Sequence, residues 1–370
     1  MVGRRTARLM FGVTSACAMV LGMAGIGAGT AAADTVIDTI PVGGSPIGVA
    51  VNPFGFRAYV ANDDDDSVSV IDTVTNTVVD TVTVGGAPNM LAVTPDGSRV
   101  YVANNDDDSV SVLNTVTNTV VATVTVGDGP FGVAVSPDGS RVYVANRIDG
   151  SVSVIDTGTN TEIDTVTVGD GPRGVAVSPD GSRVYVANSV DGSVSVIDTG
   201  TNTEIDTVTV GASPRGVAVS PDGSRVYVAN RIDDSVSVID TGTNTEIDTV
   251  TVGVNPRGVA VSPDGSRVYV TNSSGDTVSV IATVGNTVVD TVAVGDFPLG
   301  VAFTPLGLRA YVANSDDDTV SVIAVDECLG SLCFGFGSLV GGGSTGSGGT
   351  GSLVGGGSLG GAGSAGSAGS

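Results

Sequence analysis

From Asp34 to Asp326 the chain is a succession of short apolar runs in which valine, isoleucine and alanine alternate with threonine, serine and tyrosine. A two-residue period puts successive side chains on opposite faces and predicts strands, not helices. Valine and threonine, stiff at χ1, carry the matching propensity. Turn signals separate the runs. Ser136-Pro137-Asp138-Gly139 presets φ with proline and supplies a left-handed glycine position, Asp149-Gly150 is a hairpin turn of the same kind, and Gly158-Thr159-Asn160 closes the next. One stretch therefore predicts four strands: Gly132 to Val135, Arg141 to Asn146, Ser151 to Asp156 and Glu162 to Gly169.

The stretch recurs without a break in register. Tyr-Val-Ala-Asn, or Tyr-Val-Thr-Asn once, begins at Tyr59, Tyr101, Tyr143, Tyr185, Tyr227, Tyr269 and Tyr311, each 42 residues after the last. The same spacing separates Pro46 from Pro88 and onward to Pro298, and Arg57 from Arg99 and onward to Arg309. Four short strands in a period of about 40–45 residues are the signature of a propeller blade. The ends set the number of blades. Asp34-Thr35-Val36-Ile37-Asp38-Thr39 resembles Asn76-Thr77-Val78-Val79-Asp80-Thr81, a fourth strand standing alone, while the last repeat stops after Thr319–Ile323 and lacks its fourth strand. The expectation is an all-β, seven-bladed β-propeller with four antiparallel strands per blade, its last blade closed by the N-terminal strand. Such closure removes an exposed sheet edge. An open solenoid, the alternative, has no use for complementary half-blades.

The flanks differ in character. Arg4, Arg5 and Arg8 precede a largely apolar stretch from Leu9 to Ile26, and Ala31-Ala32-Ala33 follows before Asp34. This is the pattern of a cleavable signal peptide over residues 1–33, and it predicts a secreted or envelope-associated protein with no transmembrane segment in the mature chain. The propeller is expected over residues 34–326. Residues 327–370 are a Gly/Ser-rich tail with too little apolar content to fold, expected to be disordered. Cys328 and Cys333 lie close together there, and an exported protein permits a disulfide between them.

The Tyr-Val-Ala-Asn motifs, the Ser-Pro-Asp-Gly turns and the Ser-Val-Ser-Val-Ile-Asp strands resemble the YVTN family of propeller repeats, over essentially all of Asp34 to Asp326. The resemblance implies the fold and an affinity with surface-layer and other exported proteins. A more distant likeness to lactonase-type propellers comes with it. It implies no particular activity, since one fold hosts many functions.

Charge narrows the partners. The formal net charge is −24, all 15 basic residues are arginine, and histidine and tryptophan are absent. A surface this acidic repels phosphate backbones, so no nucleic-acid partner is expected. In a propeller the loops between second and third strands share a face with the loops between blades. Here they carry Asp63-Asp64-Asp65-Asp66, Asn105-Asp106-Asp107-Asp108 and Ser315-Asp316-Asp317-Asp318 on three blades that become adjacent on closure. Asp64, Asp65, Asp66, Asp106, Asp107, Asp108, Asp316, Asp317 and Asp318 are therefore candidate Ca²⁺ ligands, because hard cations take several carboxylate oxygens. The alternative is a set of charged, soluble turns. No other cofactor is expected.

A second column on that face follows the proline before each first strand: Ile47, Asn89, Phe131, Arg173, Arg215, Arg257 and Leu299. Arg173, Arg215 and Arg257, facing Phe131 and Asn89 across the channel mouth, form a candidate site for an anionic or amphipathic ligand. The competing expectation pairs them with Asp149, Asp191 or Asp233. The Arg57 column recurs in every blade and is expected to be structural, paired with the aspartates that end the third strands: Asp72, Asp156, Asp198 and Asp240. Without histidine, lysine or a cysteine within the blades, the usual bases and nucleophiles are missing. The expected function is thus non-catalytic: a monomeric, exported propeller binding an as yet unidentified protein, small molecule or cation. A carboxylate-dependent lactonase-like or lyase-like enzyme is the second expectation, and a structural surface-layer-type protein the third.

Overall fold

Each predicted run forms a strand in the computed structural model, which describes residues 33–329 and 332–334. In blade 1 the strands are Pro46–Val51, Arg57–Asn62, Ser67–Asp72 and Thr77–Thr83, hydrogen-bonded in that order into one antiparallel sheet. Blades 2 to 6 repeat it. Blade 7 takes Pro298–Phe303, Arg309–Asn314 and Thr319–Ala324 from the end of the repeats and Thr35–Pro41 from their start. Thr35 stands opposite Ala324 and Pro41 opposite Thr319, and the bulge at Ile37 falls where Val79 bulges one period later. The leading strand is thus a fourth strand in register as well as in sequence. The first strands contact one another around the circle, Pro298–Phe303 meeting Pro46–Val51. No helix occurs among the described residues, so none there is long and apolar enough to cross a membrane.

The core lies between blades. Tyr143 and Ala145 of blade 3 face Val184 and Val186 of blade 4, with Val152, Val154, Val166, Val175 and Ile197 completing the cluster. One strand thus buries both its faces, Val142 and Val144 toward blade 2 and Tyr143 and Ala145 toward blade 4. This explains the nearly continuous apolar second and third strands. The fourth strands lie outside and bury little beyond one valine, Val166 in blade 3. The closure seam is packed like the rest, with Ile40, Tyr311, Val320 and Val322 against Val49, Ala58, Val60 and Ile71.

The arginine column departs from expectation. Arg57 pairs with Asp72, but Arg99, Arg141, Arg183 and Arg225 reach into the next blade. Their Nη1 atoms donate to the carbonyls of Thr157, Thr199, Thr241 and Thr283 at 2.6–2.8 Å. Asp156, Asp198 and Asp240 instead accept from the amides and hydroxyls of Thr159, Thr201 and Thr243 within their own turns. The local turn is closer to each carboxylate than the guanidinium is, which frees the arginines to clamp blade to blade.

Beyond the propeller, Glu327–Leu329 and Leu332–Phe334 form a two-stranded hairpin whose register sets Cys328 opposite Cys333. The leader segment over residues 1–32 and the tail from residue 335 lie outside the described residues, as do the two cysteine side chains.

Candidate functional site

The innermost strands carry the site. Neighbouring first strands approach backbone to backbone, and a Cβ on Gly132 would sit 2.0 Å from the Arg173 carbonyl oxygen. Glycine at that place lets the ring tighten, and the residue before it is turned to the axis. Arg173, Arg215, Arg257, Phe131, Asn89, Ile47 and Leu299 line one cavity of about 220 Å³ at the channel mouth, together with Met90 and Leu91. The predicted rim is therefore assembled. Asn89 is 5 % exposed, and its Nδ2 donates to the Ala87 carbonyl.

The cavity is divided by charge. Arg173 lies over the Phe131 ring at 4.8 Å and Arg257 over Phe297 at 4.9 Å, within cation–π range. Arg257 Nε donates to Ser273 Oγ at 3.1 Å. Arg147 and Arg231, from loops between second and third strands, add to the positive field. Burial, followed by repulsion from Arg215, Arg147, Arg257 and Arg231, pushes Arg173 down to about 9. Burial with Arg257, Arg231 and Arg147 pushes Arg215 down to about 10, and Arg257 is lowered by burial and Arg231. A guanidinium keeps its proton at neutral pH, so these depressions register burial first and crowded like charge after it.

The expected neutralisation by aspartate does not occur. The ion pairs among the described residues are Arg57–Asp72 and Arg267–Asp34, and the Nε atoms of Arg147, Arg173, Arg215 and Arg231 are buried without partners. Asp149, Asp191 and Asp233 are engaged elsewhere, accepting from the backbone N–H of Asp128, Asp170 and Ala212 at 2.6–2.7 Å. Those amides lie in the inter-blade loops, and they hold the carboxylates.

The same logic accounts for the Asp-rich crown. Asp65, Asp107 and Asp317 accept from Gly44, Gly86 and Asp296 N–H, and Asp66, Asp108 and Asp318 from Ala87, Gly129 and Ser45 N–H. Asp64, Asp106 and Asp316 precede them, and every one of these nine carboxylates is exposed except Asp108, which is half-buried. Crowding remains: burial and then Asp64, Asp106 and Asp66 raise the Asp63 carboxyl, while Asp317, Asp276 and Asp316 raise that of Asp296. Among the described residues no group of three or more acidic, histidine or cysteine side chains is arranged to hold a metal ion. Arg147, Arg231 and Phe297 were not foreseen from the sequence. Their signal was the departure of Arg147 and Arg231 from the Asp, Asn and Ser, and of Phe297 from the Ser, Ala, Gly and Asn, that other blades carry at these loop positions.

Comparison with known proteins agrees with this architecture. The model of a family described as lactonase, 7-bladed beta-propeller, matches residues 66–168, 114–205 and 161–289, overlapping windows that together run from 66 to 289. No curated protein matches the chain. Among solved structures, one titled Kuenenia stuttgartiensis Hydrazine Synthase is similar with a TM-score of 0.71 and 26% sequence identity, over 76% of this chain and 96% of that one.

Proposed function

The chain belongs to the lactonase family of seven-bladed β-propellers, and from that premise we propose that it is an exported, non-catalytic binding protein that takes a small amphipathic organic anion into its channel mouth. The observation that carries this reading is the convergence of three arginines on one cavity, within the field of Arg147 and Arg231 and with no carboxylate partner, in a chain whose net charge is −24. An anionic head, carboxylate or phosphate, satisfies guanidinium donors that are otherwise half-desolvated. In the same cavity Phe131, Leu299, Ile47 and Met90 offer apolar surface for the body of the ligand. The acidic crown around the mouth disfavours polyanions and leaves a compact monoanion or dianion as the fitting guest.

The test is calorimetric titration of the full chain with 2-naphthoate, octyl phosphate and inorganic phosphate. The two amphipathic anions are expected to bind, and to bind at least tenfold more tightly than phosphate. Arg215→Ala is expected to weaken them roughly 10- to 100-fold, the worth of a charge-assisted hydrogen bond. Absence of binding by all three anions overturns the reading.

The family match favours a second reading, hydrolysis of a lactone, in which water opens the ring to a hydroxycarboxylate. That product is itself an organic anion suited to the arginine arc. Sustained ring opening that disappears when the arginines or rim aspartates are truncated would replace binding by catalysis.

A further inference from the structure

On the face opposite the arginine cluster the seams between blades share a latch. Asn160 Oδ1 accepts from Arg99 Nη1 and from the Tyr101 hydroxyl, both at 3.0 Å. Asn202, Asn244 and Asn286 accept likewise from Arg141, Arg183 and Arg225, and Asn76 from Tyr311. The amide nitrogen of the same residue serves the other side. Asn76, Asn118, Asn202, Asn244 and Asn286 donate to Asp38, Asp80, Asp164, Asp206 and Asp248 of the neighbouring fourth strands, each at 2.9 Å. Ala122 replaces the aspartate at the Asn160 seam.

The seam between blades 6 and 7 has no asparagine. Asp34, one period before Asn76, stands in its place, with a side chain only 1% exposed. Its carboxylate accepts from Arg267 Nη1 at 2.8 and 2.9 Å, from the Tyr269 hydroxyl, and from Asp326 N–H at 2.9 Å. A carboxylate has no donor to offer the remaining aspartate, Asp290. The backbone nitrogen of Asp34 fills that role, donating to Asp290 Oδ2 at 3.0 Å. The preceding residue, Ala33, is exposed, and Ala31-Ala32-Ala33 is the small-residue pattern at which an export leader is removed.

We propose that the Ala33–Asp34 bond is a processing site whose hydrolysis completes the seventh latch. An endopeptidase of the signal-peptidase class adds water across the bond. Ala33 leaves as a carboxylate, and the Asp34 nitrogen becomes an α-ammonium facing Asp290. A neutral amide donor is thereby converted into one member of an ion pair at the point where the ring closes. The charged groups around it are Asp34 and Asp290, Arg267 from blade 6, and Asp326 at the end of the repeats; Tyr269 is the titratable neighbour. Burial and then the Asp34 carboxylate raise the Asp326 carboxyl, so the seam carries excess negative charge that a new cation relieves. Processing and folding are coupled in this arrangement: the leader's departure generates the group that locks the ring.

Two chains test the proposal, one running from Asp34 to Ser370 and one that retains Thr30 to Ala33 before it, each with Asp290 intact and as Asp290→Asn. At pH 7 the chain beginning at Asp34 is expected to melt about 1–3 °C higher, the shift of a modest ion pair in a domain of this size. The gain is expected to disappear in Asp290→Asn. It should also fade as pH rises above about 8, where an α-ammonium loses its proton; a cation stabilised in the folded state gives its full contribution below that range and loses it above. Equal or lower melting of the Asp34 chain, or a gain that persists in Asp290→Asn or at high pH, overturns the latch. N-terminal sequencing of the full chain expressed in an exporting host is expected to begin at Asp34, and any other first residue overturns the processing site.

Discussion

Asp66 and Gly150 hold the same place in their blades with the same left-handed backbone, φ 50° and 62°. Glycine reaches that region freely, and aspartate is among the few other residues that tolerate it. In Asp66 the side chain also binds the Ala87 amide of the next blade. The column is thus acidic because of turn geometry and amide capture. Asp66→Val should cost about 1–2 kcal/mol through the left-handed penalty and the lost acceptor, and Asp66→Gly clearly less, as denaturant melts would show; equal effects would refute the backbone argument. The Ser-Pro-Asp-Gly turns work similarly. The Ser136 hydroxyl, with the amide and hydroxyl of Ser140, holds Asp138 down to about 2, and Asp180 and Asp222 sit alike. A depressed carboxylate contributes stability in full above its ordinary value near 4 and loses it as pH falls toward about 2. The melting gap between the parent and a Ser136→Ala, Ser178→Ala, Ser220→Ala variant should therefore be widest above pH 4 and close toward pH 2. A gap independent of pH would show that the serines act by packing alone.

At the scale of the element, the first strand is the most constrained. Its glycine lets the carbonyl of the next blade approach where a methyl would collide, and blade 2 departs from this with Met90. Gly132→Ala is expected to destabilise by about 2–3 kcal/mol, the range of an overpacked core. It should also disturb anion binding, because the Arg173 carbonyl must move. Unchanged melting would mean that the blades part more easily than their packing implies. The second strand shows the opposite economy, exposing neither face. Val144→Ala should cost about 2 kcal/mol by leaving a void between blades 2 and 3, and chemical denaturation checks it.

For the whole molecule, the fold depends on one strand meeting the other end of the chain. Removal of Thr35–Pro41 would leave Val320 and Val322 beside an open edge, and a chain beginning at Val42 is expected to aggregate or melt without cooperativity; a cooperative monomer would show that closure is dispensable. The number of blades, the four strands of each, the lone leading strand and the ring of residues after the prolines were all legible in the sequence. A repeat spacing and a period-two pattern are local regularities, and closure followed from complementary half-blades. The partners of the charged groups were not legible. Asp149 and Arg173 carry opposite charges on neighbouring blades and invite pairing, yet the carboxylate goes to an amide 21 residues earlier and the guanidinium lies over Phe131 among other arginines. Likewise the Arg141 guanidinium passes over Asp156 for a carbonyl 58 residues away. Alternation along a strand depends only on backbone geometry, which neighbours in the chain determine. Which acceptor a guanidinium or an amide reaches first depends on distances between blades, and those exist only once the ring has formed.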